Sequence, residues 1–277
     1  MGGATERFVM DQKVRMTRQG DVATITLCNP AKRNALSMDV LVELTRLLEE
    51  VGASDAVGVI LAAEGPVFSA GHNFGEMAGA SREDAFELFT VCSNLMQMMH
   101  QIPQVVIARV HALATAAGCQ LVATCDLAVA ARSAGFAIPG GKGGLFCHTP
   151  LVAVARNLSP KRALEMAMTG DAISAETALE WGFVNAVAED DDLDTAVHEL
   201  LARATRGSRE SKAIGKKAYY EQIAMAEDAA YAFASAVMAD AVVSDVAQEG
   251  INAFLQKRHP DLVVGSRYEC CVACIDR

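Results

Sequence analysis

Short apolar runs typical of buried β-strands alternate with helical patterns up to about residue 190, and only helical patterns follow. β-branched residues are frequent in the runs at 22–27, 57–63 and 105–110. Between the first two runs, leucines at helical spacing predict an amphipathic helix over 37–51. Because alternating strands and helices typically build an α/β core, we predict such a core, followed from about residue 208 by a helical appendage.

Weaker patterns complete this outline. Further strands and helices are predicted at 14–17, 127–131, 81–100 and 117–125. The Gly-rich stretch 135–144 is expected to be irregular, and the chain after residue 149 is expected to be mostly helical.

Two loops rich in small residues, at 69–75 and 110–121, each follow a predicted strand. Small residues let backbone N–H groups approach a ligand closely, and the second loop runs into a helix start, where N–H groups lack partners. Two N–H groups that converge on one oxygen form an oxyanion hole. Composition alone leaves a second interpretation open, in which both loops are tight turns packed against their neighbours.

Charge and composition exclude several classes of protein. Of the 277 residues, 24 are Lys or Arg and 34 are Asp or Glu, which leaves a net charge of −10. Such a chain repels polyanions, so no nucleic-acid partner and no membrane partner are expected. Five of the eight cysteines lie in apolar runs, which favours a reducing compartment. Cys271 and Cys274 have the spacing of half a zinc site, but nothing nearby completes it, and no metal is predicted.

Several motifs together resemble the crotonase family, also called enoyl-CoA hydratase/isomerase. They are Asn-Pro-Ala-Lys-Arg-Asn-Ala-Leu at 29–36, Phe-Ser-Ala-Gly-His-Asn-Phe at 68–74, the loop 110–121, Thr-Gly at 169–170 with Gly-Phe-Val at 182–184, and Ala-Phe-Leu-Gln-Lys-Arg at 253–258. Each motif is modest, but their order and spacing are specific. The stretches 114–121 and 144–150 further resemble one branch of the family.

The resemblance implies a crotonase-like spiral of ββα units with a C-terminal helical trimerisation region. It implies an acyl-CoA-binding core over 1–205 and a helical region over 206–260, and we expect a disordered tail over 261–277. The implied partner is an acyl-CoA thioester, with coenzyme A as part of the substrate and no separate cofactor. A homotrimer or a dimer of trimers is expected.

Carried over by motif, the resemblance also implies the site. The thioester oxygen would be held by the backbone N–H groups of His72 and Ala117. The implied substrate-binding positions are Lys32, Arg33, Ala35, Ala70, Gly71, Asn73, Phe74, Gly75, Ala116, Phe254 and Lys257. The cations among them would meet coenzyme A phosphates, although solvated surface charges are the alternative interpretation.

Two departures from the family pattern concern proton transfer. Gln120 and Gly140 stand where hydratases of this family have glutamates. Neither residue exchanges a proton at neutral pH, and losing general acid–base help typically costs about 10²–10⁴-fold. The groups considered as replacements are His148, Cys147, Glu76 and Lys142. His148 is the best of them by chemistry, although a structural histidine is the alternative. If the departures are interpreted correctly, Gln120→Glu with Gly140→Glu is expected to raise crotonyl-CoA hydration.

Two functional hypotheses follow. The first is an acyl-CoA enzyme, nominally a hydratase or isomerase, that lacks both usual glutamates. The second is a non-catalytic acyl-CoA-binding or regulatory homologue. RNA binding is disfavoured because the helix at 38–50 is acidic. A cytoplasmic location is predicted, with the mitochondrial matrix as an alternative only for a processed form.

Overall fold

The computed structural model describes residues 12–262 and has the alternating core that the sequence predicts. Its strands are β1 (Val14–Gln19), β2 (Val22–Leu27), β3 (Gly58–Ala63), β4 (Val105–Val110), β5 (Ala114–Thr115), β6 (Leu127–Ala131), β7 (Gly135–Ala137), β8 (Ile173–Ser174) and β9 (Ala186–Ala188).

Eleven α-helices lie among these described residues. They are α1 (Met38–Gly52), α2 (Phe74–Met77), α3 (Arg82–Gln101), α4 (Ala117–Thr124), α5 (His148–Asn157), α6 (Pro160–Thr169), α7 (Ala175–Glu180), α8 (Leu193–Thr205), α9 (Arg209–Gln222), α10 (Glu227–Val242) and α11 (Asp245–Leu255).

The main sheet has the strand order β1-β2-β3-β4-β6-β9. Strands β1 and β2 pair antiparallel, and every later neighbour pairs parallel. All six residues of β3 are buried, as parallel strands covered on both faces require. Helix α1 buries its apolar stripe of Leu41, Leu44 and Leu48 and packs against α3. The predicted α/β core is therefore confirmed.

A small second sheet, in the order β5-β7-β8, lies beside the start of α4. The sequence did not predict its strands as such: β7 falls in the stretch expected to be irregular, and β8 in the part expected to be mostly helical. Strands of two or three residues carry no periodic signal, and they form because tertiary packing brings their backbones together. Helix α2 likewise begins inside the predicted loop 69–75.

The helix starts differ in how they are capped. Ser81 caps α3 by accepting from the N–H of Asp84, whose carboxylate accepts from the Ser81 N–H in return. Ser37 occupies the same position before α1, but its hydroxyl donates to the Asp39 carboxylate instead of capping a backbone N–H.

The chain divides into two compact units, Met1–Arg206 and Gly207–Arg277. The described part of the second unit consists of α9, α10 and α11. Most of the predicted tail, with Cys271 and Cys274, lies outside the described residues.

The described residues, 12–262, also bear on membrane and metal binding. No single helix there has the length and apolar character needed to cross a membrane, although α10 and α11 together, bent by 72°, meet those two criteria. Among the same residues, no three His, Cys, Asp or Glu side chains are grouped so that they could hold a metal ion.

Candidate functional site

The two small-residue loops meet at Gly71. This glycine has a φ of +86°, and a Cβ placed on it would lie 2.9 Å from the Ala116 Cβ and 3.0 Å from the Ala117 nitrogen. A side chain here would push the loops apart, so glycine is required both by backbone conformation and by close approach. The structure therefore brings the segments that carry His72 and Ala117 side by side.

The first loop is held by the chain segment that precedes α1. The Leu36 N–H donates to the Gly71 carbonyl at 2.8 Å, and the Ala70 N–H donates to the Arg33 carbonyl at 3.0 Å. Asn34, which is 1% exposed, anchors this segment. Its side-chain oxygen accepts from the Asn29 N–H, and its side-chain NH₂ donates to the carbonyls of Glu64 and Val67. The motif at 29–36 contains Asn34 but does not reveal this anchoring role.

The second loop turns sharply into α4 at Ala116. Its N–H donates to the Ala137 carbonyl at 2.9 Å, which attaches the loop to β7. Ala116 has φ 51° and ψ −119°, a conformation that a residue with a Cβ rarely adopts and that costs about 1–3 kcal/mol. The next residue, Ala117, begins the helix, so its N–H has no intrahelical acceptor. Across residues 12–262, neither this N–H nor that of His72 forms a backbone hydrogen bond.

Gln120 lies one turn into α4, all of whose residues are buried. Its side chain is 4% exposed, and the amide oxygen Oε1 has no hydrogen-bond partner within the described chain. A buried amide without a partner costs about 1–3 kcal/mol. Gln120, three residues after Ala117, therefore has a buried amide oxygen that lacks a hydrogen-bond donor.

Gly140 lies in a 3₁₀ turn, Pro139–Gly143, and at this position the turn leaves no room for a side chain. A Cβ on Gly140 would lie 2.1 Å from the Leu145 carbonyl oxygen and 2.7 Å from the Cys147 Sγ. The Gly140 N–H donates to that sulfur at 3.2 Å. Burial raises the pKa of the Cys147 thiol, which keeps it protonated. The Gly140→Glu half of the predicted double substitution therefore requires the turn to shift.

His72 has a partly exposed imidazole whose Nε2 atom is buried. Its Nδ1 lies 3.3 Å from the Leu36 carbonyl oxygen, and its Nε2 has no partner in the described part of the chain. Burial lowers the pKa of His72, and the neutral ring packs edge-on against Phe89 at 5.3 Å between ring centres. A neutral ring that donates from Nδ1 carries its lone pair on Nε2.

The replacement groups considered from the sequence are placed differently. His148 is exposed at the first position of α5, stacks at a tilt on Phe146 with 5.1 Å between ring centres, and its side chain forms no hydrogen bond within residues 12–262. Glu76 accepts from the Met38 N–H at 2.9 Å, and Lys142 pairs with Asp171. Glu76 and Lys142 are thus already engaged by the fold.

The predicted substrate-binding positions fall into two groups. Those at 32, 33, 35, 70, 71, 73–75 and 116 lie on the two loops or on the segment bonded to the first loop, where Lys32 and Arg33 are exposed and form no ion pair with any described residue. Within this group Asn73 caps α2 by accepting from the Gly75 N–H at 3.0 Å. Phe254, which is 82% exposed, and Lys257 belong to the other compact unit, Gly207–Arg277.

The family model described as enoyl-CoA hydratase/isomerase matches residues 17–263. The chain is 42% identical over 253 residues to the mitochondrial enoyl-CoA hydratase domain-containing protein 3 of Rattus norvegicus, covering 90% of this chain and 84% of the relative. A crystal structure of an enoyl-CoA hydratase from Mycobacterium smegmatis has 42% identity and a TM-score of 0.88, over 91% of this chain and 99% of that one. The human enoyl-Coenzyme A hydratase domain-containing protein 3 has 41% identity and a TM-score of 0.86, over 90% and 99%.

The sequence resembles one branch of the family over 114–121 and 144–150, and these similarities confirm it as the branch of enoyl-CoA hydratase domain-containing protein 3. The mitochondrial label in the rat relative's name conflicts with the predicted cytoplasmic location and fits the mitochondrial alternative. The structural neighbours confirm the crotonase-like fold class, including the helical C-terminal region. By motif, model and structure, the chain belongs to the enoyl-CoA hydratase/isomerase family.

Proposed function

We propose that this chain binds acyl-CoA thioesters and holds the thioester oxygen between the N–H groups of His72 and Ala117. The observation that carries the proposal is the contact of Gly71 with the Ala116–Ala117 backbone, which sets two unengaged N–H groups on adjoining segments. Fixed N–H dipoles stabilise charge that develops on oxygen with little reorganisation. The site therefore favours reactions that pass through a thioester enolate.

The same site offers little help with proton transfer. Gln120 is neutral, and Gly140 has no side chain and no room for one. We propose that this chain therefore lacks both usual catalytic glutamates. Hydration of an enoyl thioester needs one group to activate water and one to protonate the α-carbon, and neither of these residues can do so. Crotonyl-CoA hydration by this chain is then about 10²–10⁴-fold slower than with a competent acid–base pair.

Recognition of the coenzyme A portion is assigned to the cations beside the first loop. Lys32 and Arg33 are exposed and unpaired within the described residues, and their charge suits phosphate groups. Replacing both with Gln is expected to weaken coenzyme A binding and to make the remaining affinity less sensitive to salt.

Assembly into a trimer is proposed from the surface of the second unit. Helix α10 has no buried residue, and its exposed apolar side chains include Tyr231, Met238 and Val242. Exposed apolar faces of this kind mark contact surfaces between proteins. Light scattering on the purified chain should give three or six times the mass of 29.3 kDa, and a monomer would refute the assembly.

The experiment that tests the activity is a thioester panel followed by mass spectrometry. We expect binding of acyl-CoA thioesters, and a gain in crotonyl-CoA hydration for Gln120→Glu, which adds a carboxylate without changing the size of the side chain. Product from any enoyl, dienoyl or β-hydroxyacyl thioester would exclude the non-catalytic alternative. Failure of every acyl-CoA to bind would refute the proposal.

The cellular location enters only as a proposal. The name of the rat relative favours the mitochondrial matrix over the cytoplasm among the two predicted locations. Imaging of a fluorescently tagged chain with a mitochondrial marker tests it, and diffuse fluorescence outside mitochondria would contradict it.

A further inference from the structure

Ser69 is fully buried between the two loops, and its hydroxyl is saturated by backbone groups. Oγ donates to the Asn34 carbonyl at 2.8 Å and accepts from the Gly71 N–H at 3.2 Å. The hydroxyl thereby holds the Ala70–Gly71 peptide, and the next peptide along the chain, Gly71–His72, carries the first N–H donor.

The backbone of Ser69 holds the second loop as well. Its carbonyl accepts from the Thr115 N–H at 2.9 Å, two residues before the second donor, Ala117. Gly118 presses directly on Ser69, since a Cβ on this glycine would lie 2.5 Å from the Ser69 carbonyl oxygen and 2.9 Å from its Oγ. One residue thus contacts the chain on both sides of the meeting point.

We propose that Ser69 is a positioning residue that directs the N–H groups of His72 and Ala117 toward one oxygen, an inference that rests on the proposed function. The hydroxyl is fully buried with both of its partners on the backbone, so it acts through the Ala70–Gly71 peptide and not on the substrate. Its role is to fix the Ala70–Gly71 peptide and so the backbone dihedral angles of Gly71, which set the direction of the next N–H along the chain, that of His72.

Ser69→Ala removes the partner of two buried backbone groups, the Asn34 carbonyl and the Gly71 N–H. Because buried polar groups left unpaired are unfavourable, we expect the Ala70–Gly71 peptide to turn toward another partner and to change the direction of the His72 N–H with it. We expect the stabilisation of a bound enolate to fall about ten-fold, which equals about one pKa unit.

The probe is acetoacetyl-CoA, whose α-carbon loses a proton to the buffer and whose enolate absorbs in the near ultraviolet. At saturating protein, the pH midpoint of this band reports how strongly the site stabilises the enolate oxygen. Ser69→Ala should raise the midpoint by about one unit, while Ser69→Cys, which keeps a weak acceptor in place, should give a smaller rise. The affinity for coenzyme A itself should stay unchanged in both variants.

Ser54→Ala is the matched control. Its hydroxyl also donates to a backbone carbonyl, that of Val51 at 2.7 Å, and accepts from a backbone N–H two residues later, that of Ala56 at 3.2 Å. This bridge lies in the turn between α1 and β3, so its removal should leave the enolate midpoint at the wild-type value.

The outcomes separate this inference from the proposed function. A wild-type protein that binds acetoacetyl-CoA without lowering its enolisation midpoint would refute the proposed function. A lowered midpoint that is the same in wild type, Ser69→Ala and Ser54→Ala would overturn the role of Ser69 alone. If Ser69→Ala does not fold, the Ser69→Cys midpoint decides, and a wild-type value for that variant overturns the inference.

Discussion

Adding a single methyl group at Gly140 tests whether this position is closed to a catalytic side chain. In Gly140→Ala the new Cβ would lie 2.1 Å from the Leu145 carbonyl oxygen, where ordinary contacts begin at 3.4 Å. The nearest obstacle is backbone, so the turn itself must open. The Cys147 Sγ at 2.7 Å and its backbone nitrogen at 3.2 Å block the same direction.

Displacements of this kind typically cost about 1–3 kcal/mol. For a chain of this size, 2 kcal/mol corresponds to a fall in Tm of about 4–8 °C. Opening the turn also breaks the hydrogen bond from the Gly140 N–H to the Cys147 Sγ. We therefore expect Gly140→Ala to lie in the middle of that range and Gly140→Glu to be at least as unstable.

Thermal unfolding followed by circular dichroism measures the effect, with Gly143→Ala as the control. Gly143 belongs to the same 3₁₀ turn, yet a Cβ there would meet no atom within 4 Å. The Tm of Gly143→Ala should stay within about 2 °C of the wild-type value. Equal Tm values for Gly140→Ala, Gly143→Ala and wild type would refute the reasoning, because the space at 140 would then be open.

Three further predictions use other features of the site. Gly71→Ala should abolish enolate stabilisation through contact with Ala116, whereas Gly79→Ala, with a similar positive φ but open space around it, should retain it in the acetoacetyl-CoA assay. Ala116→Gly should raise the free energy of unfolding by about 1 kcal/mol in urea, because it relieves a strained φ of 51°, and a loss would contradict this. Because burial lowers the pKa of His72, the unfolded chain binds a proton first as the pH falls below about 6.5. The free energy of unfolding from urea titrations should therefore fall as the pH drops below about 6.5, and His72→Gln should flatten this fall. An equal pH dependence of the free energy of unfolding in both proteins would contradict it.

Sequence patterns predict those parts of the fold that depend on local periodicity. The leucine stripe of α1 and the β-branched run of β3 bury the residues that their spacing indicates. Ser81 predicts the start of α3 because a capping serine bonds within the first turn of its own helix. The boundaries of α4, Ala117–Thr124, likewise agree with the predicted helix.

The finer geometry of the site depends on contacts between distant segments, which no local pattern encodes. Gly140 has no room for a side chain because Leu145 and Cys147 fold back against it. A glycine in the sequence indicates only that the backbone has more conformational freedom there. The strained turn at Ala116 is invisible for the same reason, since alanine normally predicts an ordinary helical or extended conformation. The neutral imidazole of His72 depends on burial beneath Phe89.

The central claim is that one thioester oxygen is held between two backbone N–H groups. Isotope-edited infrared difference spectroscopy with crotonyl-CoA labelled with carbon-13 at the thioester carbonyl tests it most directly. Hydrogen bonding from His72 and Ala117 weakens the C=O bond, so we expect a carbonyl band at lower frequency in the complex than in free crotonyl-CoA. A bound thioester whose band stays at the solution frequency would contradict the account.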